Sequence, residues 1–169
     1  MDPASLNSLS ASQAEAEFRK CCGSRNWAQQ LTAARPFNDF AELIAAADRV
    51  WWSLDSADWL EAFHSHPKIG EKKAAAATAV EAQQWSAAEQ SGIRDSAPAT
   101  LAALAELNHL YEAKFGYIFI VCASGKSSEA MLARLRRRLE NDPADELRIA
   151  AGEQARITEL RLRKLLSRD

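Results

Sequence analysis

Apolar residues recur every three or four positions along most of this chain, and that spacing places them on one face of an α-helix. The segment after Asn38 shows it most clearly, with apolar positions at Phe40, Leu43, Ile44, Ala47, Trp51 and Leu54. The same spacing predicts helices within residues 11–35, 56–63, 98–114 and 127–139, and a long last helix from Asp142-Pro143.

Residues that favour helix ends support these boundaries. Asn38, Ser56 and Ser127 each precede an apolar run, and we expect each to cap its helix by accepting a backbone hydrogen bond. Gly116 follows the 98–114 pattern, where a left-handed glycine commonly ends a helix. Pro143 suits the first turn of the last helix because proline lacks a backbone N–H.

One run does not follow the helical pattern. Residues 118–122 are continuously apolar and short, and they lie between Gly116 and Gly125, as expected for an extended segment. Residues 71–84 are alanine-rich and weakly patterned, which fits a loop, a lid or a helix. We therefore predict an all-α fold: a single compact domain of about eight helices, with one short extended apolar segment, over residues 1–169.

Composition and charge narrow the possible functions. A chain of 169 residues suits one domain, and its net charge of −2 gives no general attraction to nucleic acid or a membrane. No run approaches the ~20 apolar residues of a membrane span. Neither end resembles a secretory signal or a peroxisomal address. The basic run Arg134–Arg138 is expected to be a solvated helix face, although it could contact an anion.

The motif His66-Pro67-Lys68-Ile69-Gly70 is the strongest candidate for chemistry. Histidine can give and take a proton near neutral pH. Pro67 ends the preceding helix and moves His66 out of helical geometry, so the imidazole would lie on a stiff turn. An isolated histidine at a helix end more often packs or caps, but the Pro-x-x-Gly turn favours proton transfer.

Metal binding is a weaker interpretation of the same region. His64 and His66 could be two ligands, but they need at least a third, and the sequence offers none with a recognisable spacing. His109 has no motif around it. The cysteines, Cys21, Cys22 and Cys122, match no zinc pattern and suit a reducing compartment. We therefore predict no metal site and a cytoplasmic location.

Residues 86–90 (Ser-Ala-Ala-Glu-Gln) have two interpretations. Ser86 and Glu89 could form a capping box at a helix start, or Glu89 could be a catalytic carboxylate. Both can hold together, because a helix N-terminus also presents free N–H groups to an anionic ligand.

Two further features could bind a ligand. Arg161 interrupts the apolar stripe of the last helix, so it either extends its charge to the edge of the core or pairs with a carboxylate. Residues 118–122 could pack as a core strand, or could offer backbone N–H and C=O groups to a planar, amide-rich ligand.

Taken together, four motifs resemble one family. They are His66-Pro67-Lys68-Ile69-Gly70, Ser86-x-x-Glu89-Gln90, Phe115-Gly116-Tyr117-x-Phe119-Ile120-Val121 and Ile157-Thr158-x-x-Arg161-Leu162. In this order and spacing they resemble the 2-oxo-4-hydroxy-4-carboxy-5-ureidoimidazoline (OHCU) decarboxylases of urate breakdown. The resemblance spans almost the whole chain. Ile118 and residues 123–125 depart from members with proline and arginine there.

The resemblance implies an all-α, cofactor-free, homodimeric enzyme that converts OHCU to (S)-allantoin and CO₂. It implies catalytic roles for His66, Glu89 and Arg161. It implies that substrate is bound by Pro67, Ser86, Ala87, Ala88, Glu89, Gln90, Phe119, Ile120, Val121, Cys122, Ala123 and Arg161. His64 lies outside the motif and is expected to be structural.

The implied reaction needs no cofactor, because the substrate's own ring can accept the electron pair that decarboxylation leaves behind. His66 and Glu89 would act on the substrate hydroxyl, while Arg161 and the backbone of residues 119–123 would hold its amides. Two alternatives remain open from the residues: an interaction domain that uses the Arg134–Arg138 face, and a metal-dependent hydrolase that uses His64 and His66.

Overall fold

The structure is a computed structural model that describes residues 1–70, 80–93 and 95–167. Within these residues it contains nine α-helices, one 3-10 helix at Ser91–Ile93 and no strand. The helices are α1 (Pro3–Ser8), α2 (Ala11–Cys21), α3 (Arg25–Ala33), α4 (Phe40–Ser53), α5 (Ser56–His64), α6 (Val80–Glu89), α7 (Pro98–Phe115), α8 (Ser128–Arg138) and α9 (Pro143–Leu166). The predicted all-α class is confirmed.

By its internal contacts the chain divides into two compact units. The first contains residues 1–62 and 155–169, and the second contains residues 63–154. Helices α5 and α9 therefore each contribute residues to both units. That residues 1–169 form a single domain stays a prediction.

The first unit has an aromatic core. Phe18 of α2 and Trp27 of α3 are fully buried and meet edge to face, with 6.1 Å between ring centroids. The Trp27 indole donates to the carbonyl of Ala47 on α4 at 3.1 Å, so its one polar atom is satisfied inside the core. The Arg35 guanidinium donates to the carbonyls of Leu6 and Leu9, which ties the chain after α3 to the end of α1.

The second unit has a core built around Tyr111 of α7. This ring is fully buried and lies 4.6–5.9 Å, centroid to centroid, from the rings of Phe115, Tyr117 and Phe119. Gly116 ends α7 in the left-handed conformation, with φ of 81°, as the sequence predicted. That turn leads the chain directly into the apolar segment after α7.

Two predicted caps are wrong by one residue. Asp39, not Asn38, caps α4 by accepting from the N–H of Glu42. Asp55, not Ser56, caps α5 by accepting from Ala57 and Asp58. An ionised carboxylate is the stronger acceptor at a helix N-terminus, and in both places it lies next to the residue first expected. Ser127 caps α8 as predicted.

The apolar segment 118–122 is neither helical nor paired in a sheet. Its side chains from Phe119 to Cys122 are buried, in agreement with an extended segment inside an all-α fold. Of residues 71–84, the last five lie in α6, and residues 71–79 lie outside the described part of the chain. No helix among the described residues is both long and apolar enough to cross a membrane.

Candidate active site

The turn that carries His66 follows α5. The N–H of His66 donates to the carbonyl of Phe63 at 3.1 Å, which closes the last turn of the helix before Pro67. Gly70 ends the motif with a φ of 89°, in the left-handed region that favours glycine. The sequence expectation that His66 lies on a tight turn after a helix is confirmed.

Three neighbouring side chains fix this turn. Asn108, buried on α7, donates its amide to the carbonyl of Ile69 at 3.1 Å. Lys68 forms an ion pair with Glu112, one turn further along α7, at 2.5 Å. The side-chain oxygen of Gln90 accepts from the N–H of Gly70 at 3.0 Å.

The imidazole of His66 has its own partner on α9. Its Nε2 lies 2.7 Å from Oε1 of Gln154, whose side chain is fully buried. The His66 side chain itself is only partly buried. The ring is thus held in place by a buried side chain of α9.

The segment 86–90 lies at the end of a helix rather than at its start. Ser86 is inside α6, and its hydroxyl donates to the carbonyl of Ala82 at 3.0 Å. The capping-box interpretation is therefore wrong, as is the expectation that free N–H groups are presented there. The sequence pattern failed because the helix already begins at Val80. Ala87 and Ala88 are exposed, whereas Ser86 and Glu89 are buried.

Glu89 is the last residue of α6 and lies in a charged environment. The carboxylates of Glu89 and Glu153 both act on the thiol of Cys122. Burial, and to a smaller extent these carboxylates, raises the pKa of Cys122 against the lowering effect of Lys126. Glu153, buried on α9, also accepts the N–H of Cys122 at 2.8 Å.

Hydrogen bonds and sequence neighbours bring these elements of the second unit close together. His66 contacts Gln154, whose neighbour Glu153 holds Cys122. Cys122 lies within the electrostatic reach of Glu89, whose neighbour Gln90 returns to the His66 turn at Gly70. The structure therefore brings together three of the four sequence motifs that point to chemistry.

Side chains also hold the backbone of the apolar segment. Arg138 donates to the carbonyl of Ile120 at 2.6 Å, and Lys126 donates to that of Cys122 at 2.5 Å. No hydrogen bond among the described residues uses the N–H or C=O of Val121, although Val121 is buried. In an extended chain, alternate residues direct these groups to opposite sides. A buried and unpaired peptide group of this kind is suited to bind an amide-rich ligand.

The prediction that Arg134–Arg138 is a solvated basic face is wrong at Arg138. Arg136 and Arg137 are exposed, but Arg138 is buried and pairs with the fully buried Glu146 at 2.6 Å. Its guanidinium lies 4.6 Å from the ring centroid of Phe119. Tyr111 donates its hydroxyl to the same Glu146 carboxylate. Burial, together with that bond, raises the pKa of Tyr111.

Arg161 lies in the first unit. It is buried on α9, and its charge acts on the thiols of Cys21 and Cys22, where it opposes the effect of burial. The expectation that this arginine interrupts a buried stripe is confirmed. Its role beside His66 and Glu89 stays a prediction.

Sequence reasoning missed Gln154, Glu153 and Glu146. All three are buried polar residues of α9, at positions where the helical period expects apolar side chains. A polar residue within the apolar stripe of α9 was the signal that identified Arg161, because a buried polar group needs a partner. The same signal could have identified these three residues.

His64 is exposed and is the last residue of α5. Among the described residues there is no group of three or more histidine, cysteine, aspartate or glutamate side chains arranged to hold a metal ion. The two-histidine metal interpretation therefore finds no third ligand in that part of the chain.

Comparisons with known proteins identify the family of this chain. The family model for OHCU decarboxylase matches residues 7–163. The "Uric acid degradation bifunctional protein TTL" of Arabidopsis thaliana is 40% identical over 154 residues, which are 90% of this chain and 47% of that protein. This chain thus spans about half the length of that relative. A putative OHCU decarboxylase of Homo sapiens is 32% identical over 144 residues, 84% of this chain and 82% of that protein.

Solved structures give the same result. A crystal structure of OHCU decarboxylase in the presence of (S)-allantoin is 42% identical, with a TM-score of 0.78 over 90% of this chain and 98% of that one. A crystal structure of (S)-allantoin synthase shares the fold at 17% identity, with a TM-score of 0.73 over 98% of this chain and 54% of that one. With its family model, its relatives and its fold in agreement, this chain belongs to the OHCU decarboxylase family.

Proposed function

We propose that this protein catalyses the cofactor-independent decarboxylation of OHCU to (S)-allantoin and CO₂ in urate catabolism. The observation that carries the proposal is the set of hydrogen bonds around the His66 turn. They join Gly70 to Gln90, beside Glu89, and join His66 to Gln154, whose neighbour Glu153 binds the N–H of Cys122. It occurs in a chain whose family and several relatives are named for this decarboxylation.

The reaction requires few groups from the protein. The bond from C4 to the carboxylate breaks, CO₂ leaves, and the electron pair forms a C4–C5 double bond as the ring C=N takes up a proton at nitrogen. The enol that results loses its hydroxyl proton to become the C4 carbonyl, and C5 gains a proton. One proton is consumed overall. The protein must therefore orient the carboxylate, exclude water and direct a proton to one face of C5.

The residues supply these functions as follows. His66, working with Glu89, exchanges the proton of the substrate hydroxyl. Arg161 and the backbone of residues 119–123 hold the ureido group and the ring amides. The N–H and C=O of Val121 support this role, because they lie on a buried segment whose neighbouring peptide groups are already used. Pro67, Ser86 and Gln90 shape the site around them.

The test is direct. The protein is added to OHCU freshly generated from urate, and the circular dichroism of allantoin is followed with and without EDTA. We expect optically active (S)-allantoin, formed faster than the spontaneous reaction and unaffected by the chelator. Racemic product at the spontaneous rate would reject the enzyme, and loss of activity with EDTA would favour the metal-dependent alternative.

The matched pair His66→Ala and His64→Ala tests the catalytic assignment. General acid–base catalysis typically contributes ~10²–10⁴ in rate, so His66→Ala should lose that much together with the excess of the S isomer. His64 is exposed and lies two residues away at the end of α5, so its variant controls for the loss of an imidazole next to the turn. Near-parental rate and chirality in His66→Ala would contradict the assignment.

Three finer features belong to the same proposal: the enzyme uses no cofactor, forms a homodimer and works in the cytoplasm. The resemblance to the family supports the first two. Three free, buried cysteines support a reducing compartment. Activity after exhaustive dialysis, the mass by light scattering and the distribution of activity among cell fractions test the three features in turn.

A further inference from the structure

The hydrogen bond between His66 and Gln154 has a chemical consequence for the imidazole. Gln154 is fully buried on α9, and its Oε1 lies 2.7 Å from Nε2 of His66. An amide oxygen can accept a hydrogen bond but cannot donate one. With the amide oxygen on this side, Nε2 carries the proton of this bond.

This proton fixes the tautomer. In a neutral imidazole one ring nitrogen carries the proton and the other carries the lone pair. When Nε2–H is bonded to Gln154, the lone pair lies on Nδ1. The same bond survives when the ring becomes charged, because Nε2 is still a donor. Proton gain and loss at Nδ1 can thus proceed without breaking the contact that orients the ring.

We propose that Gln154 is a positioning residue for His66: it holds the Nε2–H tautomer and makes Nδ1 the atom that exchanges a proton with the substrate. This inference rests on the proposed function for the identity of the substrate, but not for the state of the ring. In the reaction Nδ1 accepts the hydroxyl proton of the enol as the C4 carbonyl forms. The electron pair of the C4–C5 double bond then takes a proton at C5 from the imidazolium Nδ1–H, which returns the ring to its neutral Nε2–H form.

A neutral partner suits this cycle better than a charged one. A carboxylate at position 154 would stabilise the imidazolium and so hold the proton on Nδ1. The amide orients the ring without adding a charge. Burial strengthens the orientation, because a buried amide that loses its partner is left without a hydrogen bond and without water. Catalytic histidines elsewhere are oriented by a similar second partner.

Nuclear magnetic resonance of protein labelled with ¹⁵N-histidine tests the tautomer without any assay of activity. We expect the neutral ring of His66, assigned by loss of its signals in His66→Gln, to be a single Nε2–H tautomer whose proton exchanges slowly with water. An Nδ1–H tautomer, or an averaged mixture of the two, would overturn the proposal. Finding the expected tautomer in a protein without OHCU activity would reject the proposed function alone.

Two variants test the positioning role by kinetics. Gln154→Glu should move the acidic limb of the kcat/KM profile to higher pH by on the order of one unit, because a charged partner favours the imidazolium. Gln154→Leu should lower kcat by on the order of tenfold or more with a small change in KM, because the ring loses its orientation. It should also lose the slowly exchanging Nε2–H.

Asn108→Leu is the matched control. It removes a buried amide that supports the same turn through the carbonyl of Ile69, but that does not contact the imidazole. We expect lower stability, an unmoved pH profile and an unchanged tautomer. If Gln154→Glu left the profile in place, or if Asn108→Leu moved it equally, the role of Gln154 would be structural and the proposal would fail.

Discussion

Removing one partner of the buried pair of Arg138 and Glu146 should cost far more stability than removing one partner of an exposed pair of the same residue types. The Glu146 carboxylate accepts from Nε of Arg138 at 2.7 Å and from Nδ2 of Asn141 at 2.8 Å, and it also accepts from the Tyr111 hydroxyl. In Glu146→Gln the charge is lost, and one of the two acceptor oxygens is replaced by an NH₂ group. That NH₂ group then faces a donor to which it cannot hydrogen-bond. Arg138 would then be a buried and uncompensated charge.

Removing one partner of a buried pair typically costs ~3–5 kcal/mol, a large part of the ~5–15 kcal/mol that holds a domain folded. The control is Glu159→Gln, which breaks the i,i+4 pair of Arg163 and Glu159 at 2.7 Å, with side chains 56% and 43% exposed. Exposed pairs contribute ~0–1 kcal/mol. Urea unfolding of both variants and the parent gives the two free-energy differences.

Activity provides a second measurement on the same variants. Arg138 also holds the carbonyl of Ile120, so Glu146→Gln should lower kcat/KM through the segment 119–123, while Glu159→Gln should not. The reasoning is refuted if the two substitutions lower the free energy of unfolding equally, within about 1 kcal/mol. The double variant Arg138→Met/Glu146→Leu should recover part of the lost stability, because it leaves no buried charge.

Two further predictions concern glycines and thiols. Gly92→Ala should destabilise by ~1–3 kcal/mol because its Cβ would lie 2.2 Å from the carbonyl oxygen of Lys126, whereas Gly152→Ala on α9 meets nothing within 4 Å and should stabilise by ~0.5–1 kcal/mol. Thermal unfolding of the two variants gives the sign of each change in stability, and two changes of the same sign would contradict the prediction. Burial raises the pKa of Cys22 to about 12, so the folded thiol keeps a proton that the unfolded chain loses above pH ~8.5. Stability should therefore be full below that pH and fall as the pH rises toward about 12, by ~1.4 kcal/mol per pH unit for this thiol. In Cys22→Ala the slope should be shallower by that amount, and an unchanged slope would count against the assignment.

The sequence predicted those features that depend on local pattern. The helical period placed α4, α7, α8 and α9, and the composition of the His66 turn predicted its geometry, because proline and glycine act on their own backbone. The error at Ser86 has a physical cause. A serine that bonds to the carbonyl four residues earlier and a serine that caps a helix have the same local sequence. Only the position of the helix start distinguishes them.

The contacts that complete the site could not be read from local pattern. Gln154 and His66 are 88 residues apart, and nothing near either residue identifies the other. The buried stripe of α9 showed that polar residues there need partners, but not which partners. The basic run was misjudged at Arg138 for the same reason, since its carboxylate lies on the next helix and its carbonyl partner on the segment before.

The unpaired peptide group of Val121 has a consequence for how selectivity in this protein could change. A main-chain donor and acceptor are the same for every amino acid, so replacing Val121 by another residue of similar shape leaves the recognised hydrogen bonds in place. Their direction depends on how the neighbouring peptides are held, by Arg138 at Ile120 and by Glu153 at Cys122. A library designed to alter which amide-containing ring is accepted should therefore vary these two side chains, neither of which needs to touch the ligand.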